Sequence, residues 1–281
     1  MILDTANHPM KISLLLSDVD GTLVTKAKVL TPRAIDVVRR LGLSGIAFAI
    51  ASSRPPLGLA KLVEPLNLST PLTGFNGGMI VDRHQTILRK HPLAPDITRK
   101  VLAMLDASGV DIWFFSGNDW LVRKADGVYV SHEQMTIGYD PIVVEDFEAA
   151  IGTATKIVGV SDDFARLADC ETVMRAALGH DATIALSQKY YLDITHLLAN
   201  KGAAVMSLSE LLHIPTTEIA TIGDMSNDVS MFERSGFSIA MGNATDAVKA
   251  TATATTLSNE EDGFAEAVER YILPAAPKPI G

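Results

Sequence analysis

Asp18 and Asp20 stand two residues apart at the end of an apolar run, Ile12-Ser13-Leu14-Leu15-Leu16, and Gly21-Thr22 follow them. Carboxylates at i and i+2 of an extended chain point the same way. Two like charges held that close are unfavourable unless a cation or a proton is shared between them. Magnesium, a hard ion that takes carboxylate oxygens, would relieve the repulsion. Gly21 lets the backbone turn sharply just after the pair. A second acidic segment, Ile222-Gly223-Asp224-Met225-Ser226-Asn227-Asp228, also closes an apolar run. Asp224 and Asp228 are one helical turn apart, so both can face one site. A capped helix start, with Asp224 or Ser226 as the cap, explains one acid but not three polar residues gathered after a buried strand. Two weaker signals accompany these. Ser52-Ser53-Arg54 follows another apolar run and could bind a phosphoryl oxygen, although Ser52 alone reads first as an ordinary helix cap. Lys201, between Asn200 and Gly202 at a helix start, could set a point charge beside an anion; in isolation it reads as a solvated surface lysine.

Side chains so far apart in the chain need a scaffold that brings strand ends together. From Ile12 onward, strand-like and helix-like stretches alternate. Thr31-Pro32 is a good cap and first-turn pair for a helix to Leu43, with Ala34, Ile35, Val38 and Leu41 at helical spacing. Ile46–Ala51 reads as a buried strand, a helix is expected from about Pro55 to Leu66, and a short strand near Pro71–Thr73. The alternation returns late: helix Lys201–Leu212, strand Glu218–Ile222, helix Asp228–Arg234, strand Phe237–Ala240, a short helix Ala244–Ala250 and a last helix near Glu261–Ile272. This βαβ pattern predicts an α/β fold, a Rossmann-like parallel sheet whose strand ends collect the four segments at a common edge. The middle differs. Asp111–Phe115, Trp120–Arg123 and Tyr190–Ile194 read as extended and Asp96–Asp106 and Asp162–Leu178 as amphipathic helices. That composition predicts an inserted α+β domain with an antiparallel sheet over residues 84–194, interrupting a core made of 1–83 and 195–281. Residues 1–10 read as a loose extension and the proline-rich stretch 274–279 as an unstructured tail.

The chain has 281 residues, 47% of them hydrophobic, enough for two modest cores. A net charge of -9 argues against nucleic acid, whose phosphates demand basic surface. The one cysteine, Cys170, excludes an intramolecular disulfide and permits a cytoplasmic setting. No secretory signal or bilayer-spanning apolar run is read, so no membrane partner is expected. Gly74 to Gly78 lacks a phosphate-loop lysine, so it is not read as a nucleotide-binding loop. Trp113 and Trp120 read as core of the inserted sheet, and His180, His196 and His213 as surface or loop residues.

Taken in order, the four segments resemble the four motifs of the haloacid dehalogenase superfamily of phosphohydrolases, and more narrowly its Cof-like subgroup with a large α/β cap between the second and third motifs. Asn76-Gly77-Gly78 and Asp262-Gly263-Phe264 also resemble that subgroup. The first and fourth motifs carry most of the specificity; the second and third add mainly by their order. The resemblance implies a phosphatase with Asp18 as nucleophile, Asp20 as general acid and base, Ser52 hydrogen-bonded to a phosphoryl oxygen and Lys201 neutralising charge. It implies Mg2+ held by the Asp18 carboxylate, the Asp20 backbone carbonyl and Asp224, with Asp228 bound through water or in support. Ser53, Arg54, Asn76, Gly77 and Asn227 are implied phosphate or supporting contacts. Ser53 departs from the usual glycine and could narrow the phosphate pocket or reorient Arg54. The implied partner is a small phosphorylated metabolite, most simply a sugar phosphate, handled by a monomer or homodimer. Two rival readings share the core: a phosphotransferase or phosphomutase passing the phosphoryl group to a sugar hydroxyl, and a non-catalytic sugar-phosphate sensor.

Overall fold

The computed structural model describes residues 11–276, which fall into two compact units. The first comprises residues 11–51, 63–71 and 201–276; the second comprises 52–62 and 72–200.

In the first unit, strands Ala254–Thr255, Phe237–Ala240, Ile219–Gly223, Leu14–Ser17 and Ala47–Ala51 lie side by side in that order, all parallel. Continuous apolar runs such as Leu14-Leu15-Leu16 suit strands covered on both faces, and all three are fully buried. Register fixes what happens at the strand ends. Leu14 lies opposite Ile219 and Ser17 opposite Ile222, so the residues after Ser17 and after Gly223 leave the sheet at one edge. Helix Pro32–Leu43 starts as its sequence predicts, with the Thr31 hydroxyl accepting from Ala34 N at 3.1 Å and Pro32 in the first turn. Helix Lys201–Leu212 buries Val205 and Leu208, each worth roughly 1.5–3 kcal/mol of apolar burial.

Several elements are shorter than their periodicity predicts. The helix expected over 55–66 is a 3-10 turn, Pro56–Leu59, followed by one α turn, Ala60–Val63. Pro56 has no N–H to donate and Gly58 disfavours helix, which weakens the regular ladder there. The expected helix Glu261–Ile272 is α-helical over Gly263–Ala267 and widens to a π turn over Val268–Ile272 just before Pro274. Glu218 lies in a 3-10 turn and not in the following strand. Residues 273–275 form a 3-10 turn whose Ala275 carbonyl accepts from Ile12 N, so this part of the tail is ordered. The expectations for 1–10 and 277–279 lie outside the described residues.

The second unit contains the antiparallel set Leu72–Gly74, Met79–Val81 and Ile87–Lys90. It also holds a six-stranded sheet in the order Thr183–Gln188, Tyr191–Thr195, Ala154–Val160, Asp111–Ser116, Asp119–Val122, Ile142–Val143. All its neighbours pair antiparallel except the last two strands. Helices Pro95–Ala107 and Phe164–Leu178 bury Val101, Leu105, Leu167 and Met174 in one cluster with Phe114, Ile157, Leu192 and Ile194 of that sheet. Trp113 and Trp120 are buried and meet edge to face at 5.2 Å, as core residues should. His180 and His213 are exposed, whereas His196 is half-buried and stacked on His91. Among the described residues no helix is long and apolar enough to cross a membrane.

Candidate active site

Asp18 follows the strand Leu14–Ser17 directly, and its N–H donates to the Ile222 carbonyl of the neighbouring strand at 2.9 Å. That bond fixes its carboxylate at the shared strand edge. Lys201 reaches it from the first residue of helix Lys201–Leu212: Nζ lies 2.5 Å from Asp18 Oδ1 and 2.5 Å from Asp228 Oδ1. The lysine is fully buried, so the solvated reading its sequence setting favoured is overturned. An ammonium leaves water only where opposite charges replace hydration, and here two do.

Asp228 works with both oxygens. Oδ1 takes Lys201 while Oδ2 accepts from the backbone N–H groups of Asp224 and Met225, each at 2.8 Å. It thereby holds the turn that presents Asp224. Ser226–Asp228 is a 3-10 turn before the short helix Val229–Phe232, and Asn227 is exposed on it. Asp224 accepts from the Thr22 hydroxyl at 3.2 Å and from Asn243 Nδ2 at 3.0 Å. Carboxylate oxygens of Asp18, Asp224 and Asp228 lie within 4.8 Å of one another, and all three residues are buried. Three acids face one lysine.

The electrostatics follow. Burial, against the pull of Lys201 and with the added push of Asp228, raises Asp18 to about 7. Burial and the Asp228 charge raise Asp224 to about 6. Burial would discharge Lys201, yet Asp18 and Asp228 outweigh it and hold the ammonium above its ordinary value. Surplus negative charge on buried carboxylate oxygens is the donor set a hard divalent cation requires, so these residues fit a metal of that kind.

Asp20 lies beside this cluster, partly exposed, with Lys28 Nζ 2.6 Å from Oδ1. Lys28 sits at φ +62 in a turn closed by its N–H donating to Thr25 O at 2.8 Å. The intervening Gly21 has φ +84, and a Cβ built there would stand 2.4 Å from Asp224 Oδ2. Gly21→Ala is therefore expected to cost about 1 kcal/mol or more through its backbone conformation alone, and also to displace the Asp224 carboxylate. Denaturant unfolding checks this: the midpoint should fall, and an unchanged midpoint would contradict the geometry.

The second unit assembles the remaining expected residues around one turn. Ser52 N donates to Thr73 O at 2.9 Å, Asn76 N to Ser52 O at 2.8 Å and Phe75 N to Arg54 O at 2.9 Å. The buried Ser52 hydroxyl accepts from Arg54 N at 3.2 Å. Ser53 and Arg54 are half-buried. Asn76 and Gly77 take φ +56 and +106, left-handed values that asparagine and glycine tolerate best.

Three contributors escape the sequence reading. Asn243 Nδ2 bridges Asp224 and the Gly21 carbonyl, while its Oδ1 accepts from Asn259 N at 3.1 Å. Asn259 Nδ2 in turn donates to Val24 O at 2.9 Å, and Thr22 braces Asp224. Asn243 follows the parallel strand Phe237–Ala240, next to the strand that precedes Asp224, so a polar residue just past that strand end was the available signal. Nothing local marks Asn259.

The family model described as haloacid dehalogenase-like hydrolase matches residues 15–268. A 5-amino-6-(5-phospho-D-ribitylamino)uracil phosphatase of Bacillus subtilis, YcsE, is 26% identical over 263 residues, covering 93% of this chain and 96% of its own. An HMP-PP phosphatase of Citrobacter koseri is 28% identical over 228 residues, 81% and 83% of the two chains. Among solved structures, a haloacid dehalogenase-like hydrolase from Bacteroides thetaiotaomicron superposes with TM-score 0.85 at 27% identity, covering 92% of this chain and 99% of that one.

Proposed function

Since this chain belongs to the haloacid dehalogenase-like hydrolases and is a phosphatase, we propose that it falls in their Cof-like branch and hydrolyses a small phosphorylated metabolite, most simply a sugar phosphate, with magnesium. The observation that carries this reading is Lys201, buried between Asp18 and Asp228 with Asp224 alongside.

Asp18 is the nucleophile. Its free carboxylate oxygen attacks phosphorus, the bond from phosphorus to the leaving oxygen breaks, and Asp20 gives that oxygen a proton. Asp20, now ionised, takes a proton from the water that attacks the aspartyl-phosphate, releasing phosphate and restoring both acids. Lys201 and the Ser52 hydroxyl offset charge on the phosphoryl oxygens. Ser53, Arg54, Asn76, Gly77 and Asn227 are further phosphate or supporting contacts. The Asp18 and Asp224 carboxylates and the Asp20 carbonyl would hold magnesium, which would supply positive charge toward the phosphoryl group. Asp228, both oxygens already engaged, acts by positioning Lys201 and Asp224. Residues 84–194 serve as the cap that selects the leaving group. A cytoplasmic setting suits a chain whose one cysteine is buried and free.

Phosphate release from a panel of sugar phosphates and a simple aryl phosphate, with magnesium and with chelator, tests the reading. Release that requires magnesium supports it. Transfer to an added sugar without free phosphate would instead indicate a phosphotransferase, and binding without turnover a sensor. Protons should compete with the metal: below the Asp18 and Asp224 values of about 7 and about 6, binding must displace protons. Magnesium should therefore raise the melting temperature more at pH 8 than at pH 5, and equal shifts would argue against these ligands.

A further inference from the structure

The register of the six-stranded sheet places Tyr191 and Asp193 of one strand on the same face as Lys156 and Val158 of its neighbour and Trp113 of the next. The opposite face, with Leu192, Ile157 and Phe114, belongs to the helix-covered core. Charge on the first face is unusual for a sheet interior. Lys156 Nζ lies 2.6 Å from Asp193 Oδ2, with 12% and 13% of the two side chains exposed, so the pair is nearly but not wholly buried. The other Asp193 oxygen, Oδ1, is shielded and has no hydrogen-bond partner among the described residues. Rotation about the Cβ–Cγ bond exchanges the two oxygens, so either can be offered.

Glu133 joins this pair from helix Val130–Ile137, with Tyr191 Oη donating to its Oε2 at 3.3 Å. Burial raises the Glu133 carboxyl above its ordinary range; Lys156 and Arg54 oppose the rise and Asp193 adds to it. Arg54 belongs to the turn that carries Ser52. Aromatic rings pack around Tyr191: Trp113 lies 4.9 Å from it, and Tyr190, stacked on Tyr129 at 4.4 Å, lies 4.5 Å from it. Tyr129 holds φ +61, a strained value for a non-glycine residue.

We propose that Glu133, Lys156 and Asp193 form a hydroxyl-recognition subsite that takes the polyol or sugar part of the phosphorylated substrate. A second anion would meet Glu133 and Asp193, and an ammonium would meet Lys156 and Arg54. A hydroxyl both donates and accepts, carries no charge, and matches an array holding carboxylate acceptors and an ammonium donor together. An acceptor left without a donor is costly, and a ligand hydroxyl removes that cost. The subsite rests on the phosphatase reading, and it places hydroxyl selection on the unit that also carries Ser52 and Arg54.

Phosphate release is measured on a hexose phosphate, a pentitol phosphate and p-nitrophenyl phosphate, for native protein, Asp193→Asn and Glu133→Gln. The preference for the best hydroxylated substrate over the aryl phosphate should fall about tenfold or more in each variant, mainly through KM, as expected for losing a charged hydrogen bond. Parallel losses on all substrates, an unchanged preference, or a native enzyme that favours the aryl phosphate would overturn the subsite while leaving the phosphatase reading intact. Should Asp193→Asn fail to fold with Lys156 unpaired, Glu133→Gln and the double variant Lys156→Met with Asp193→Leu carry the same comparison. Native protein releasing phosphate from none of the three would end the phosphatase reading. Calorimetric titration with the two hydroxylated phosphates would then decide the subsite: a tenfold loss of affinity in Asp193→Asn supports it, and absent or unchanged binding rejects it.

Discussion

Asp18→Asn is expected to lower phosphate release by about four orders of magnitude or more, because an amide oxygen cannot serve as the attacking carboxylate. The variant should nonetheless fold. Lys201 keeps Asp228 at 2.5 Å as its counter-charge, and the Asp18 backbone bond to Ile222 O is untouched. In the absence of metal the variant should even gain stability at pH 8. The folded protein holds the Asp18 proton up to about 7 against an ordinary value of 3.8. A carboxyl raised in this way costs stability increasingly as pH climbs from its ordinary value to its folded one, and the cost persists above. Asparagine has no such cost. Denaturant midpoints in chelator should therefore favour the variant at pH 8 and converge toward pH 4. A less stable variant at pH 8, or one retaining appreciable turnover, would contradict the assignment of Asp18 as a buried, metal-relieved nucleophile.

Lys201→Met should be damaging in both respects. It leaves Asp18 and Asp228 buried without their shared cation, and breaking a buried pair from one side typically costs about 3–5 kcal/mol. Two carboxylates lose one partner here, so the upper part of that range is expected at pH 8 without magnesium. Acidification to pH 5 should return part of the loss, since Asp18 can then take up a proton. Phosphate release should fall about a thousandfold or more through lost charge stabilisation. Lys201→Arg should rescue poorly, because a planar guanidinium needs more room than a side chain with no exposure leaves. Urea unfolding and initial rates measured on the same preparations check both parts. Native-like stability in Lys201→Met would mean the lysine does not neutralise the pair.

The sequence determined a good deal of this protein. Leu14-Leu15-Leu16, Ile219–Gly223 and Phe237–Ala240 announce buried parallel strands because a strand covered on both faces must be apolar throughout. Asp18 with Asp20 and Asp224 with Asp228 are legible as two acidic pairs at strand ends because each pair is close in the chain. The structure gathers Asp18, Asp224 and Asp228, leaves Asp20 paired with Lys28, and sets Asp228 at the end of a 3-10 turn in place of the expected helical one. Thr31-Pro32 marks its helix start for the same reason. In the inserted region the extended stretches at Asp111, Trp120 and Tyr190 are legible, but helix Val130–Ile137 is not. Its residues show little apolar periodicity, and Tyr129 before it offers no cap.

Tertiary structure decided the rest. Lys201 looks like any solvated lysine in its sequence, and its burial depends on Asp18, 183 positions away. Asn243, in a turn, and Asn259, at the start of a 3-10 turn, are single amides whose roles exist only once Gly21, Val24 and Asp224 are packed against them. Lys156 and Asp193 become a pair only through the antiparallel register of their two strands. The physical division is one of range. Periodicity, caps and paired carboxylates are fixed by neighbours along the chain. Counter-charges, amide bridges and cross-strand pairs are fixed by which distant residues close packing brings together.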